Sequence, residues 1–290
     1  MSAAHGAAKG ARPGVPRPTW LRAWLRAWPY LRFLLVRVLP VPAVLLLWER
    51  AAKSAENINY PPPSQILSTM RDLWLSGPAD RLWLTESATT NIPASLGRLL
   101  TGWLLAGLIG VAAGLAAGRS ARLHAYVRPL VYFGSAIPPI MLLPFFIALF
   151  EAGTQTQLVM IMFGVIWPVL LNSIEGARGV DPRHIEIAEV FRFSAAERLT
   201  RVILPSALPK IFAGLRVSLS LALILMVISE MKGSTNGIGF QLLDEQRNFN
   251  TPGVWSGIVL LGVLGLLLNS LFLLAERRVL AWHRGATRTT

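Results

Sequence analysis

Residues 184–209 read HIEIAEVFRFSAAERLTRVILPSALP, a run of acids and bases set among long apolar stretches. The residue types and spacings here suit docking, not bond-making. Asp181 is a good helix N-cap and Pro182 suits the first helical position, so one helix is predicted to end near Phe191. Ser194 followed by Glu197 forms a capping box that starts a second helix. Leu199, Val202 and Ile203 give that helix an apolar side, with Glu197, Arg198 and Arg201 facing outwards. Leu204-Pro205 is expected to end it, and Pro209 precedes the next apolar run. A solvated loop is the plain alternative, but long loops in compact proteins tend to be functional. A rigid pair of capped helices suits the passing of force to a second protein.

Reaction chemistry finds little to work with. Cys is absent, which excludes disulfides, thiolate nucleophiles and Cys-based metal sites, and His5, His124, His184 and His283 are scattered. No G-x-x-x-x-G-K-[ST] phosphate cradle occurs. No catalytic triad, metal cluster or carboxylate pair is present either, so the chain is expected to be no enzyme and to hold no metal or cofactor.

Two apolar runs hold candidates for a solute path. In GSAIPPIMLLPFF, Pro138, Pro139 and Pro144 each remove a helical hydrogen bond and free the carbonyls of Gly134, Ser135 and Ile140. Such backbone must face protein or a water-filled cavity. Ser135, Pro138 and Pro139 therefore mark either a kink beside a transport path or a packing kink. Further on, Ser218 and Ser229 lie about three helical turns apart, with Ala222 and Leu225 between them on the same face. That stripe fits a pore wall or close helix packing. Glu230 follows at the outer end of the run; an acid at membrane depth is a functional candidate, and an interfacial position is the alternative.

The elements that hold these residues follow from composition. Of 290 residues, 53% are hydrophobic, and uninterrupted apolar stretches reach the roughly 20 residues needed to cross a bilayer. Six spans are expected, at about 31–50, 90–118, 126–150, 157–174, 210–231 and 253–275. The fold class is then an all-α integral membrane protein. With both termini on the cytoplasmic side, the inside segments hold 19 Lys and Arg residues against 5 outside, a strong positive-inside bias. This clustering in loops explains the net charge of +13 without nucleic acid. Gly110, Gly114 and Gly118 recur every four residues, a spacing for close helix packing.

The chain divides into a cytoplasmic N-terminal tail (1–30), a membrane domain (31–280, with the charged loop at about 175–209) and a cytoplasmic C-terminal tail (281–290). Within the first tail, Trp20, Trp24 and Trp28 form one stripe with Arg22 and Arg26 opposite, as in a helix lying in the lipid headgroup layer. A signal peptide is the rival, but no apolar core with a small-residue cleavage site appears. After the first span, NYPPPSQILSTMRDLW should run extended through Pro61–Pro63. Ser64 is then expected to cap a short helix with Ile66, Leu67, Met70, Leu73 and Trp74 on one face, lying on the outer membrane surface.

The charged loop resembles the "EAA" coupling loop of permease subunits of binding-protein-dependent ABC importers. Glu186-Ile187-Ala188 occupies the first part of that motif and Val202-Ile203-Leu204-Pro205 the last, at the matching spacing. Arg192 departs from it, standing where a Gly normally makes the turn between the two helices. The likeness runs over about 58–280, through NYPPPSQIL, SLGRLLTGWLLAGLIGVAAG, SAIPPIMLLPFF, WPVLLNSIEGARGVDP and TNGIGFQLL. It looks most like the branch handling nitrate, sulfonates and taurine. FEAGTQ (150–155) departs from the Gly-rich turn more usual there.

The resemblance implies a type I importer permease in the bacterial inner membrane. It implies a cytoplasmic ATP-binding subunit, a second permease copy or homologue, an extracytoplasmic solute-binding protein, and membrane lipid around them. ATP hydrolysis would lie in the partner. Glu186, Ala188, Arg192, Leu204 and Pro205 would make the ATPase-coupling site. Ser135, Pro138, Pro139, Ser218, Ala222, Ser229 and Glu230 are the path candidates, with a small anion as cargo. A secondary transporter is the alternative; it would place acids or His deep in the bilayer and show inverted repeats, which these spans lack. A membrane-embedded enzyme and a structural scaffold rank lower.

Overall fold

A computed structural model describes residues 39–282 apart from Glu56 and Ile58. The interfacial helix expected within 1–30, the first part of the span expected at 31–50, and the tail from 283 onwards lie outside the described residues.

Two compact units divide the chain, residues 1–63 and 64–290. In the first, helix α1 (Pro40–Ala55) exposes Val41, Val44, Leu45, Leu46 and Leu47. Its Glu49 and Lys53 pair at 2.6 Å, one turn apart.

The second unit opens within α2 (Pro63–Met70), which continues into a π-turn at Arg71–Leu75. Pro63 opens this helix, because its fixed φ suits the first turn. Ser64 therefore lies inside α2 instead of capping it. Ile66 and Trp74 are buried, as expected for the apolar face, while Leu67 is exposed. Trp74 packs with Ala88, Ile238 and Leu260, and its indole N–H reaches the Ser256 hydroxyl at 3.4 Å.

The core is built on three long helices: α3 (Glu86–Arg119), α6 (Thr154–Arg178) and α9 (Leu204–Gly233). Helix α6 lies between the other two. The small-residue stripe on α3 is the seam between α3 and α6. A methyl group at Gly114 would lie 2.4 Å from Ser173 Cβ, one at Gly118 2.6 Å from Ala177 Cβ, and one at Gly110 3.1 Å from Val169 Cβ. These pairs keep one constant offset, so α3 and α6 run parallel with their backbones in close approach. Helix α9 runs antiparallel to α6, since Gly164 meets Leu225 while Gly176 meets Ala207. Leu99, Ala106, Met160, Ile161, Val165 and Met226 fill the centre.

The span expected at 126–150 is broken. Helix α4 (Ala121–Ala136), a 3-10 turn (Pro139–Leu142) and α5 (Leu143–Phe150) bend by 83°. Pro138 and Pro139 cannot continue α4. The freed Gly134 carbonyl accepts the Ile137 N–H at 3.3 Å, and Ile140 O accepts the Leu143 N–H. Pro144 falls in the first turn of α5, where a missing N–H costs nothing.

Short helix α7 (Pro182–Val190) and the single turn α8 (Ala195–Arg198) follow α6. The second helix of the charged loop does not end at Leu204-Pro205. A π-turn (Leu199–Ile203) carries α8 straight into α9, with Leu204 N–H bonded to Leu199 O. Pro205 then occupies the first turn of α9, where no α-helical bond is lost. Helices α10 (Ile238–Arg247) and α11 (Thr251–Val279) complete the unit. Phe272 of α11 packs edge-on against Trp103 at 5.9 Å, and Arg216 pairs with Glu276.

Among the described residues, four helices are long and apolar enough to cross a membrane, and a fifth span is reached when the bent pair is counted as one. They match the last five expected spans, each running a few residues longer.

Candidate functional site

One end of the bundle carries the charged loop. Asp181 Oδ1 accepts the Arg183 N–H at 2.9 Å and Pro182 sits in the first turn of α7. At the other end of α7, Arg192 N–H bonds Glu189 O and Phe193 N–H bonds Ala188 O, both at 2.9 Å. Those two bonds are a Schellman closure, and Arg192 holds its left-handed position at φ 55°. The turn that a Gly would make is thus made by Arg192, at about 1 kcal/mol of backbone strain.

Ser194 and Glu197 form the capping box in both directions. The Ser194 backbone N–H and then its hydroxyl hold the Glu197 carboxyl below its ordinary 4.5, with Arg201 adding to them and desolvation opposing. Arg198 bonds Glu189 at 2.9 Å and so ties α8 to α7, and the Arg201 guanidinium lies 5.7 Å over the Phe193 ring. On this braced knob Ile187, Val190 and Phe191 are 53%, 80% and 71% exposed. Glu186 is exposed beside them and Arg192 caps the row. Ala188 faces inward at 2% exposure. Leu204 and Pro205 are half-buried.

The far end of α9 holds a buried polar cluster. Glu230 is fully buried and pairs with Arg98 at 2.8 Å. It also accepts the Ser95 hydroxyl (2.8 Å) and the Gly239 N–H (2.9 Å). Asn91 and Ser95 accept the N–H groups of Gly237 and Ile238, each at 2.8 Å. Three N–H groups at the start of α10 are therefore capped by side chains of α3 and α9, and the carboxylate sits at the positive end of the α10 dipole. Arg98 donates further to Asn236 O at 3.0 Å and to Asn236 Oδ1. Gly237, at φ 117°, could not carry a side chain, because its Cβ would fall 2.5 Å from the Glu230 carboxylate. Arg98, Ser95, Asn91 and Asn236 were not site candidates in the sequence. Their signal was there: Asn91, Ser95 and Arg98 recur at four and three residues, one polar face on an otherwise apolar helix.

The remaining path candidates separate into two sets. Ser218, Ala222 and Ser229 are fully buried inside the chain. Ser218 accepts the Trp103 indole N–H at 2.8 Å and donates to Leu215 O at 2.9 Å, while Ser229 donates to Met226 O at 2.8 Å. Their stripe packs against α3 and α6, the packing alternative. Ser135 and Pro138 lie exposed at the break after α4, and Pro139 is half-buried against Gly164. Gly153 begins α6 without a side-chain cap, next to a cavity of about 300 Å³ lined by Arg98, Lys232, Ser234, Thr235 and Asn236. Among the described residues no group of His, Cys, Asp and Glu side chains could hold a metal.

The model of the family described as binding-protein-dependent transport system inner membrane component matches residues 106–281. A Bacillus subtilis permease protein named for aliphatic sulfonates transport is 33% identical, covering 77% of this chain and 78% of the relative. The Escherichia coli taurine transport system permease protein is 29% identical over 77% and 80%. The nitrate import permease protein of a Synechocystis strain is 28% identical over 82% and 86%. Among solved structures, a chain of the inward-facing MetNI methionine ABC transporter superposes with a TM-score of 0.58 over 65% of this chain and 94% of that one. At 20% identity this likeness speaks for the fold alone.

Proposed function

Because the chain belongs to the binding-protein-dependent transport system inner membrane components, where it is an ABC importer permease subunit, we propose how it is coupled and what it carries. The knob made by α7 and α8 docks on a separate cytoplasmic ATP-binding subunit. The observation that carries this is the exposed apolar row Ile187, Val190 and Phe191 on a helix closed by Arg192, capped by Asp181 and braced by the Arg198–Glu189 pair. Apolar residues held this firmly in water suit a partner surface. Glu186 and Arg192 touch that partner. Ala188, Leu204 and Pro205 seat the knob on α9, which carries its movement into the membrane.

A second permease copy or homologue completes the path, and an extracytoplasmic solute-binding protein delivers the cargo. Both termini lie in the cytoplasm, following the positive-inside bias. The path runs along the exposed side of the break at Ser135, Pro138 and Pro139, where non-helical backbone suits a water-lined wall. Ser218, Ala222, Ser229 and Glu230 support it from behind. The cargo is a small oxyanion of the nitrate, sulfonate or taurine kind. Relatives named for such solutes, and Lys232 in the lining of the far-end cavity, support that reading.

Affinity purification of the tagged chain in mild detergent, with mass spectrometry of its companions, tests the coupling. An ATP-binding protein should follow the wild type and be lost from Ile187→Asp/Phe191→Asp, two exposed positions whose change leaves the core intact. Glu186→Lys should keep membrane insertion and uncouple uptake from ATP hydrolysis. A chain that purifies without any nucleotide-binding partner overturns the reading.

A further inference from the structure

At the coupling end of the bundle, a cavity of about 230 Å³ opens between α4 and α6, lined by His124, Arg128, Tyr132, Glu175 and Arg178 with Val131, Leu171 and Ile174. It lies apart from the coupling knob and from the Arg98–Glu230 cluster. We infer that it is a binding site for a small oxyanion at the exit end of the path. The inference rests on the proposed function and names where the cargo pauses.

Charge is the first argument. Among the described residues neither Arg128 nor Arg178 makes an ion pair, while Glu175, the acid in the lining, is already held by Lys210 at 2.9 Å. Two guanidinium charges therefore face the cavity without a neutralising carboxylate. The C-terminal end of α6 offsets them by only about half a charge. Guanidinium groups also present paired donors that match planar or tetrahedral oxyanions.

His124 is the second: it lines the cavity one turn from Arg128 on α4, and its imidazole adds a ring N–H donor to the lining. Tyr132 is the third: its ring lies 5.6 Å from the Arg128 guanidinium and holds it in place. Val131, Leu171 and Ile174 line the rest, and their low polarity strengthens charge-assisted bonds.

Position is the fourth argument. His124, Arg128, Tyr132 and Ser135 are spaced by four, four and three residues, so they share one face of α4. That face leads from the break at Pro138–Pro139 to the cavity. A solute released at the break therefore meets the Arg128 side chain next.

Sulfate is the probe, because it carries the tetrahedral oxyanion head of a sulfonate. Equilibrium dialysis of the full-length chain in detergent, with labelled sulfate, should give saturable binding at one site per chain. Arg128→Gln and Arg178→Gln should each weaken it about tenfold or more, the loss of one charge-assisted contact. Neither change strands a carboxylate, so both variants should fold, which thermal unfolding checks. Arg247→Gln, exposed at the other end of the bundle, should bind as the wild type. Absence of saturable binding, or binding indifferent to both Arg substitutions, overturns the site. Displacement of sulfate by phosphatidylglycerol but not by methanesulfonate would make it a lipid headgroup site and overturn the cargo assignment. The ATP-binding partner is assayed in the same preparations. Lost sulfate binding with the partner present fails this inference alone, whereas a missing partner fails the proposed function.

Discussion

Replacing Glu230 by Gln removes one charge from a site where it is fully buried and leaves the shape nearly unchanged. Arg98, itself only 9% exposed, would keep its two contacts to Asn236 and lose its counter-ion. Breaking a buried ion pair by removing one partner costs about 3–5 kcal/mol, because the other charge is left uncompensated. The Asn236 contacts place the expected loss at the lower end, about 3 kcal/mol. Loss of the carboxylate from the start of α10 adds about 0.5 kcal/mol through the helix dipole. Arg98→Gln/Glu230→Gln removes both charges, so it should be more stable than the sum of the single variants predicts, by about 2 kcal/mol. Equilibrium unfolding of the full chain in mixed micelles measures all four corners of this cycle. A single-variant loss below about 1 kcal/mol, or strict additivity in the double variant, would refute the account of a buried, mutually neutralising pair.

Three further outcomes follow from the same coordinates. Gly114→Ala should destabilise by about 1–3 kcal/mol through overpacking against Ser173, whereas Gly97→Ala, with nothing within 4 Å of the added methyl, should be neutral or better; unfolding in micelles compares them. Arg192→Gly should relieve the positive φ and stabilise the turn, while Arg192→Val should disturb it, since a β-branched residue fits the left-handed region poorly; thermal unfolding of the two variants reads the difference. Glu197 has a depressed folded-state pKa, so its cap on Ser194 is fully present above the ordinary 4.5 and is lost as pH falls through the lower folded value. Amide exchange at Ser194 N–H should report that loss, and protection unchanged under acid would contradict it.

Much of the architecture could be read from the chain without coordinates, because apolar runs long enough to cross lipid and a clustering of basic residues in the loops are local facts. The capping box at Ser194 and Glu197, the start of α7 at Pro182 and the Gly110–Gly114–Gly118 packing stripe belong here, each decided by residues within one or two turns. The sequence also marked Arg192 as the odd residue of the turn. The structure shows how that turn survives: the local Schellman bonds to Ala188 and Glu189, with Arg198 tied to Glu189, hold an arginine where glycine is the easier choice.

Leu204-Pro205 misled for a related reason. A proline stops a helix only if an N–H is needed there, and a π-turn upstream removes that need. The side that a serine faces was likewise undecided by spacing. Ser218 and Ser229 fit a pore or a packing seam equally well until Trp103 and the neighbouring carbonyls took their hydroxyls. Arg98 and Glu230 stand 132 residues apart, as members of a cluster that assembles only when α3, α9 and α10 meet. By itself the sequence determined which segments enter the membrane and where their ends are capped, since propensity and hydropathy act over a few neighbouring residues. Only the tertiary structure decided which buried polar groups neutralise one another, because that depends on contacts between helices far apart in the chain.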